Sequence, residues 1–76
     1  MEEILFSLEG HEFIPLDQLL KLLRVVESGG QAHEVISQGM VTRDGEIETR
    51  KRAKLRAGDS ITFMNYHITI TEKTRQ

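Results

Sequence analysis

Cysteine and tryptophan are absent from the chain, proline occurs once, and the apolar runs are short. The lack of cysteine excludes a disulfide framework, a thiolate metal site and a cysteine nucleophile, and it is typical of proteins from a reducing compartment. A membrane-spanning helix needs about 20 consecutive apolar residues, and the acidic start Met1-Glu2-Glu3 lacks the positive charge of a secretory signal. We therefore expect a cytoplasmic protein with no membrane association.

Length is a second limit, because 76 residues make a single small domain (1–76). Such a domain is too small to enclose a substrate pocket of the usual volume. Asp17, Glu27 and Glu34 could suggest acid–base chemistry, but nothing places two of them beside a nucleophile, so we interpret them as solubilising charges. The three histidines are far apart and lack the spacing of metal ligands. The sequence predicts a protein that is not an enzyme and has neither a metal site nor a cofactor.

The charges that are present are unevenly distributed. Residues 1–38 carry seven acidic and two basic side chains, whereas residues 39–76 carry five acidic and eight basic ones, although the whole chain has a net charge of only -2. Local field rather than total charge attracts phosphates. The second half is therefore the part expected to face a polyanion.

Hydrophobic periodicity in the first third predicts strands followed by a helix. In the run 4–8, Ile4, Phe6 and Leu8 would lie on one side of a strand. Residues 12–14 indicate a second short strand. Helix one is expected over about 15–24, with Pro15 at the first helical position, where its missing N–H costs nothing. Its leucines recur at helical spacing and should form core.

A second helix is expected to begin after Ser28. The Ser28 hydroxyl can cap the helix while Gln31, three positions on, reaches back, as in a capping box. Ala32, Val35 and Ile36 would form its buried stripe. Gly39 suits the left-handed conformation that ends many helices.

The remaining residues predict a hairpin, a basic loop and two more strands. Asp44-Gly45 favours a two-residue type I′ turn within 40–48, because both central residues of that turn need positive φ. Residues 49–56 lack alternation and are expected to form an exposed loop anchored by Leu55. Two half-buried strands follow, joined by a reversal at Asn65-Tyr66-His67.

The order of these motifs resembles the S4-type RNA-binding domain, and more closely the small free-standing bacterial S4 proteins. The resemblance runs over about 13–63, and its motifs are Glu27-Ser28-Gly29-Gly30-Gln31-Ala32, Gly39-Met40-Val41, Asp44-Gly45, Glu48-Thr49-Arg50-Lys51-Arg52 and Gly58-Asp59-Ser60-Ile61. It implies an α+β fold in which two short helices and a β-hairpin, the αL motif, pack on a small, mostly antiparallel sheet.

The resemblance also implies a ligand and a surface. The expected partner is structured RNA, often ribosomal, and the implied contact residues are Ser28, Gly29, Gly30, Gln31, Arg43, Arg50, Lys51, Arg52 and Lys54. Many family members carry Arg where this chain has Pro15 and Gly29. Two arginine contacts of the family pattern are therefore missing.

The residues themselves support this surface chemically. Residues 50–56 hold five bases and no acid, and neutralising phosphates with such a run releases counterions and supplies affinity. Free N–H groups at the start of helix two can hold an anion, and Gly29 and Gly30 allow a sugar-phosphate backbone to approach closely. Taken alone, the same residues fit a solvated loop and a simple cap, with His33 as a surface side chain.

Two other functions fit parts of the pattern. Two short helices joined by a turn fit a DNA-binding helix-turn-helix, but residues 31–38 contain Glu34 and no Lys or Arg to read base edges. A protein-interaction domain of the β-grasp kind fits the length and the strands, although carriers of that kind end in Gly-Gly and this chain ends in Arg75-Gln76. Nothing in the sequence indicates an obligate dimer, so we expect a monomer.

Overall fold

The computed structural model describes residues 1–72. These residues form a small α+β domain with two helices and seven strands. The helices are α1 (Leu16–Leu22) and α2 (Gly29–Ser37). The strands are β1 (Glu2–Ser7), β2 (Ile14–Pro15), β3 (Val41–Arg43), β4 (Glu46–Ile47), β5 (Lys54–Leu55), β6 (Ser60–Phe63) and β7 (Tyr66–Thr71). From its polar composition we also expect the end 72–76 to fray, and apart from Glu72 this stretch lies outside the described residues.

Five strands form one sheet in the order β1-β7-β6-β3-β4. β1 runs parallel to β7, with Ile4 beside Ile68 and Phe6 beside Ile70, and the other neighbours are antiparallel. The predicted mostly antiparallel sheet is therefore confirmed. The parallel pair joins the first strand to the last one described, which closes the domain.

The core lies between this sheet and the two helices. Leu19 and Leu20 of α1 and Ile36 of α2 are fully buried against Ile61 and Ile68 of the sheet cluster. Burying a side chain of this kind contributes roughly 1.5–3 kcal/mol relative to leaving it exposed. The stripe expected on α2, namely Ala32, Val35 and Ile36, is buried as predicted.

Local turn and cap signals are confirmed. The Ser28 hydroxyl accepts from the Gln31 backbone N–H at 3.1 Å, and the Gln31 side-chain oxygen accepts from the Glu27 N–H at 2.7 Å. Asp44 and Gly45 have φ of 53° and 88°, as a type I′ turn requires. The two helices and the β3–β4 hairpin thus form the predicted αL unit.

Helix one is shorter than predicted. Pro15 caps the helix in an extended conformation instead of occupying its first turn, because it pairs with Lys54 in a small second sheet of β2 and β5. The same pairing corrects two other expectations. The early strand includes Ile14 and Pro15 rather than 12–14, and 49–56 is not all loop, since Lys54 and the buried Leu55 form β5.

The last reversal also lies earlier than predicted. Met64, with φ of 54°, and Asn65 make the turn, while Tyr66 and His67 already belong to β7. Tyr66 pairs with Glu2 and with Phe63. The parallel partner β1 therefore lengthens β7 beyond what alternation within the last strand indicates.

Within residues 1–72, neither helix has the length and apolar character that crossing a membrane requires. In the same range, no three His, Asp or Glu side chains group in a way that could hold a metal ion.

Candidate nucleic-acid interface

The basic loop is attached by its backbone to the start of α1. The Leu16 N–H donates to the Ala53 carbonyl at 2.9 Å, and the Asp17 N–H donates to the Lys51 carbonyl at 3.0 Å. The first N–H groups of a helix have no partner inside the helix, so the loop supplies the acceptors that α1 lacks. This attachment fixes where the basic side chains stand.

Asp17 links the loop and both helices. Its carboxylate oxygen Oδ2 lies 2.9 Å from Nε2 of His33 on α2 and 3.8 Å from a guanidinium nitrogen of Arg52. Asp17 is only 7% exposed. The interpretation of Asp17 as a solubilising charge is therefore wrong, and His33 is not a plain surface residue, because the pair holds α1 against α2.

The structure brings the start of α2 and the basic loop to one open groove. Ser28 and Gly29 line it together with Arg52 and with residues of α1. These were two separate regions of the predicted RNA surface. Asp17 lines the same groove, and its Oδ2 lies 3.8 Å from the Arg52 guanidinium.

Two further cations in the groove belong to α1 and the turn after it. Lys21 and Arg24 line the groove with Arg52, opposed by Asp17 and Glu27. A Cβ placed on Gly29 would lie 4.0 Å from the Lys21 Nζ. Lys21 thus places an amine beside position 29, where many family members carry Arg.

Arg24 adopts an unusual backbone conformation for its residue type. Its φ is 60°, in the left-handed region that normally favours glycine. The Arg24 N–H donates to the Lys21 carbonyl and the Val25 N–H to the Leu20 carbonyl, which is the hydrogen-bond pattern of a Schellman motif. The helix therefore ends on an arginine that projects a cation at the groove.

Sequence reasoning missed Asp17, Lys21 and Arg24. Lys21 and Arg24 are the only Lys and Arg residues of the acidic first half. A comparison of net charge between the two halves of the chain therefore did not reveal them. Their spacing of three residues, at the end of the predicted helix one, was the available signal, since residues three apart are neighbours on a helix surface.

The other bases of the loop, Arg50, Lys51, Lys54 and Arg56, do not line this groove. Arg50 donates from its backbone N–H and its guanidinium to Glu48, with a side-chain distance of 3.0 Å. The Arg50 hydrogen bond is the main reason that the pKa of Glu48 lies below its ordinary value. Arg50 lines a second, smaller groove along the β3–β4 hairpin. Its contact with RNA stays a prediction.

Arg43 is held within the fold. Its guanidinium donates to Asp59 at 2.7 Å and to the Lys54 carbonyl at 2.9 Å, and it lies 3.6 Å from Glu48. Burial alone raises the pKa of Asp59, but the Arg56 N–H and the Arg43 guanidinium outweigh burial and lower it. In the free protein Arg43 thus joins the hairpin to the turn before β6.

Lys54 and Arg56 flank an aromatic ring. The Lys54 amine lies 5.2 Å and the Arg56 guanidinium carbon 5.8 Å from the centre of the Phe13 ring, within the range of cation–π attraction. Neither residue lines the groove of Arg52. Of the predicted surface, Ser28, Gly29 and Arg52 therefore share one groove, while Arg43, Arg50 and Lys54 do not line it.

Comparison with known proteins relates the whole arrangement to one family. The model of the S4 domain matches residues 6–71, a wider range than the 13–63 indicated by the sequence motifs. "Putative RNA-binding protein YbcJ" of Escherichia coli K12 is 43% identical over 65 residues, which covers 86% of this chain and 93% of that protein. YbcJ of Shigella flexneri, named as uncharacterized, matches to the same extent.

A solved structure shows the same fold. The solution structure of YbcJ from E. coli, described as revealing an αL motif involved in RNA-binding, has a TM-score of 0.68 against this chain at 42% sequence identity. The match covers 88% of this chain and 85% of that one.

Proposed function

The chain belongs to the S4 domain family, and on that premise we propose that it is a non-catalytic module that binds structured RNA in the groove between α1 and the start of α2. The observation that carries the proposal is the convergence of Arg52, Lys21 and Arg24 on one groove beside the α2 start. Three cations placed together create a stronger local field than the net charge of -2 suggests.

The groove suits RNA better than duplex DNA. A helix-turn-helix protein places its second helix in the major groove, yet α2 presents Glu34 and no Lys or Arg along Gly29–Ser37. The cations instead stand at the start of α2 and beside it. Such a surface favours phosphates and exposed bases at loops and bulges of a folded RNA.

Ribosomal RNA is the ligand class we propose within structured RNA, and it rests on the resemblance to the family. We also propose that the protein acts as a monomer in the cytoplasm. RNA recovered after crosslinking in cells tests this class directly, because an excess of ribosomal fragments over messenger fragments is expected. A bound population dominated by other transcripts would contradict the ribosomal assignment and leave the groove assignment standing.

The groove itself is tested by reversing its charges. We expect Arg52→Glu, Lys21→Glu and Arg24→Glu each to weaken binding of a hairpin RNA by at least about tenfold at low salt, measured by fluorescence anisotropy. Each loss should also reduce the slope of log affinity against log salt by about 0.7–0.9. Arg56→Glu makes the same charge change outside the groove and serves as the matched control.

Two outcomes would contradict the proposal. One is equal weakening by Arg56→Glu and by the three groove variants, because binding would then follow total charge. The other is a preference for duplex DNA over hairpin RNA at matched salt. Circular dichroism of each variant checks that the fold is retained.

A further inference from the structure

Asp17, which lines the cationic groove, has one carboxylate oxygen that is buried and unpaired within the described residues. Asp17 Oδ1 has no hydrogen-bond partner among residues 1–72, although almost none of its surface is accessible. Buried polar atoms in native proteins are nearly always paired, and leaving an acceptor unpaired is costly. Oδ1 is thus an anionic acceptor to which the described residues supply no donor.

The partner is restricted by what the rest of the carboxylate does. Oδ2 is already engaged by His33 at 2.9 Å, with Arg52 at 3.8 Å. A donor pair that spans both carboxylate oxygens, such as the N–H edge of a guanine, would compete with His33 for Oδ2, so a donor to Oδ1 alone is favoured. A single hydroxyl fits without that competition.

The surroundings place this donor next to phosphates. Lys21, Arg24 and Arg52 line the same groove as Asp17. A bare carboxylate repels phosphate, so the part of a nucleotide suited to Oδ1 is both uncharged and able to donate. In a ribose-phosphate backbone that part is the 2′-hydroxyl, which lies between successive phosphates and which DNA lacks.

We propose that Asp17 Oδ1 accepts a hydrogen bond from a ribose 2′-hydroxyl and thereby makes the groove select RNA over single-stranded DNA. The inference rests on the proposed function, since it adds a specificity residue to the same groove. In the free protein Oδ1 is covered, so binding requires a neighbouring side chain to move. Arg52, whose side chain is 74% exposed and lies 3.8 Å from the other oxygen, Oδ2, is the side chain that we expect to turn from the carboxylate to a phosphate.

The first experiment separates this inference from the proposed function. Hairpin RNAs with a fixed stem and a randomised loop are selected on the wild-type protein at low salt. Failure to select any hairpin would overturn the proposed function. With a selected hairpin in hand, each loop ribose is replaced in turn by 2′-deoxyribose and by 2′-fluororibose, which keeps the ribose-like pucker but cannot donate.

The expected result is one loop position at which both replacements weaken binding roughly tenfold, the effect of losing a hydrogen bond to a charged group. Unchanged affinity at every position would overturn the inference while leaving RNA binding established. This measurement uses the wild-type protein alone, so it does not depend on how any variant folds.

A protein variant then assigns the contact to Asp17. In Asp17→Ala the sensitive position should lose its sensitivity, so that the ribose and 2′-fluoro hairpins bind equally. Asp17→Asn keeps the side-chain shape but not the charge. Its ratio of affinities for the ribose and 2′-fluoro hairpins should lie between the ratios of the wild type and of Asp17→Ala. Undiminished sensitivity in both folded variants would overturn the assignment.

Glu27→Gln is the matched control. Glu27 is the other acid lining the groove, and its removal should strengthen binding of both hairpins by the same factor because only general repulsion is relieved. A change in the ribose preference of Glu27→Gln equal to that of Asp17→Ala would show that groove charge, not the Oδ1 contact, selects the sugar.

Discussion

Asp17 on α1 and His33 on α2 meet side chain to side chain at 2.9 Å, across sixteen residues of sequence. The contact lies at the point where the basic loop, through the Lys51 carbonyl, is bonded to the Asp17 backbone. One residue therefore positions three segments of the groove. The groove is a product of packing and not of any single motif.

This coupling is measurable as stability. We expect Asp17→Ala and His33→Ala to lower the free energy of unfolding, and the double variant to cost less than their sum by about 1 kcal/mol, because the pair is lost only once. Urea unfolding of the four proteins gives the value. Simple additivity would mean that the contact does not hold the helices together.

Replacing Arg24 should change stability and RNA affinity in opposite directions. In Arg24→Gly the left-handed residue loses its steric strain, so unfolding should cost about 0.5–1 kcal/mol more, while RNA affinity should fall because a groove cation is gone. Thermal unfolding and anisotropy measure the two effects.

The end of α2 provides the control for that variant. Gly39, with φ of 80°, has the same hydrogen-bond pattern as Arg24, since its N–H donates to Ile36 and that of Met40 to Val35. A Cβ at Gly39 would make only an ordinary contact with Ile47 at 3.6 Å, so Gly39→Ala tests conformational strain alone and should destabilise by about 1 kcal/mol. If Arg24→Gly also destabilised, the arginine side chain would be stabilising its own turn.

Acid should destabilise the hairpin side of the domain. The pKa values of Glu48 and Asp59 lie below their ordinary values of 4.5 and 3.8 in the folded protein. A carboxyl with a lowered pKa contributes stability that is complete above the unfolded pKa and disappears as the pH falls through the folded one. Stability should thus be level above about pH 5 and decline below pH 4.5.

Arg43→Met identifies the source of that decline. Arg43 bonds to Asp59 and lies near Glu48, so the variant should be less stable at neutral pH by roughly 1–3 kcal/mol. The difference from wild type should shrink as acid protonates the carboxylates. Denaturant midpoints measured between pH 7 and pH 3 give both curves, and a constant difference would exclude the ion pairs as its cause.

The two exposed arginines of the basic loop should differ in importance. Arg50 and Arg52 are equally exposed, at 73% and 74%, but Arg50 is paired bidentately with Glu48 whereas Arg52 lies 3.8 Å from Asp17. Arg50 would have to break its ion pair with Glu48 to reach a phosphate, and the free energy lost with that pair offsets the free energy gained from the phosphate contact. We expect Arg52→Gln to weaken hairpin RNA binding more than Arg50→Gln, by about threefold in anisotropy titrations. The reverse order would place the ligand along the β3–β4 hairpin.

The features that sequence predicted well are those with local causes. The Ser28 cap, the Asp44-Gly45 turn and the buried stripe of α2 each depend on residues within a few positions of one another. Leu55 is predicted to anchor the stretch 49–56, and it is fully buried.

The features that sequence did not predict depend on distant partners. Lys54-Leu55 is a strand only because Ile14-Pro15 lies beside it, and the same pairing moves the start of α1. Tyr66 belongs to β7 because β1 extends along it. The role of Asp17 could not be found from its own neighbourhood, since it faces His33 and Arg52 only after the helices and the loop have packed.

The hydrogen bonds that start α1 are accepted by main-chain carbonyls of Lys51 and Ala53. Every residue has a main-chain carbonyl. The side chain at position 51 therefore does not affect the hydrogen bonds that start the helix. A designer could therefore replace the Lys51 side chain while the hydrogen bonds that start the helix stay unaltered.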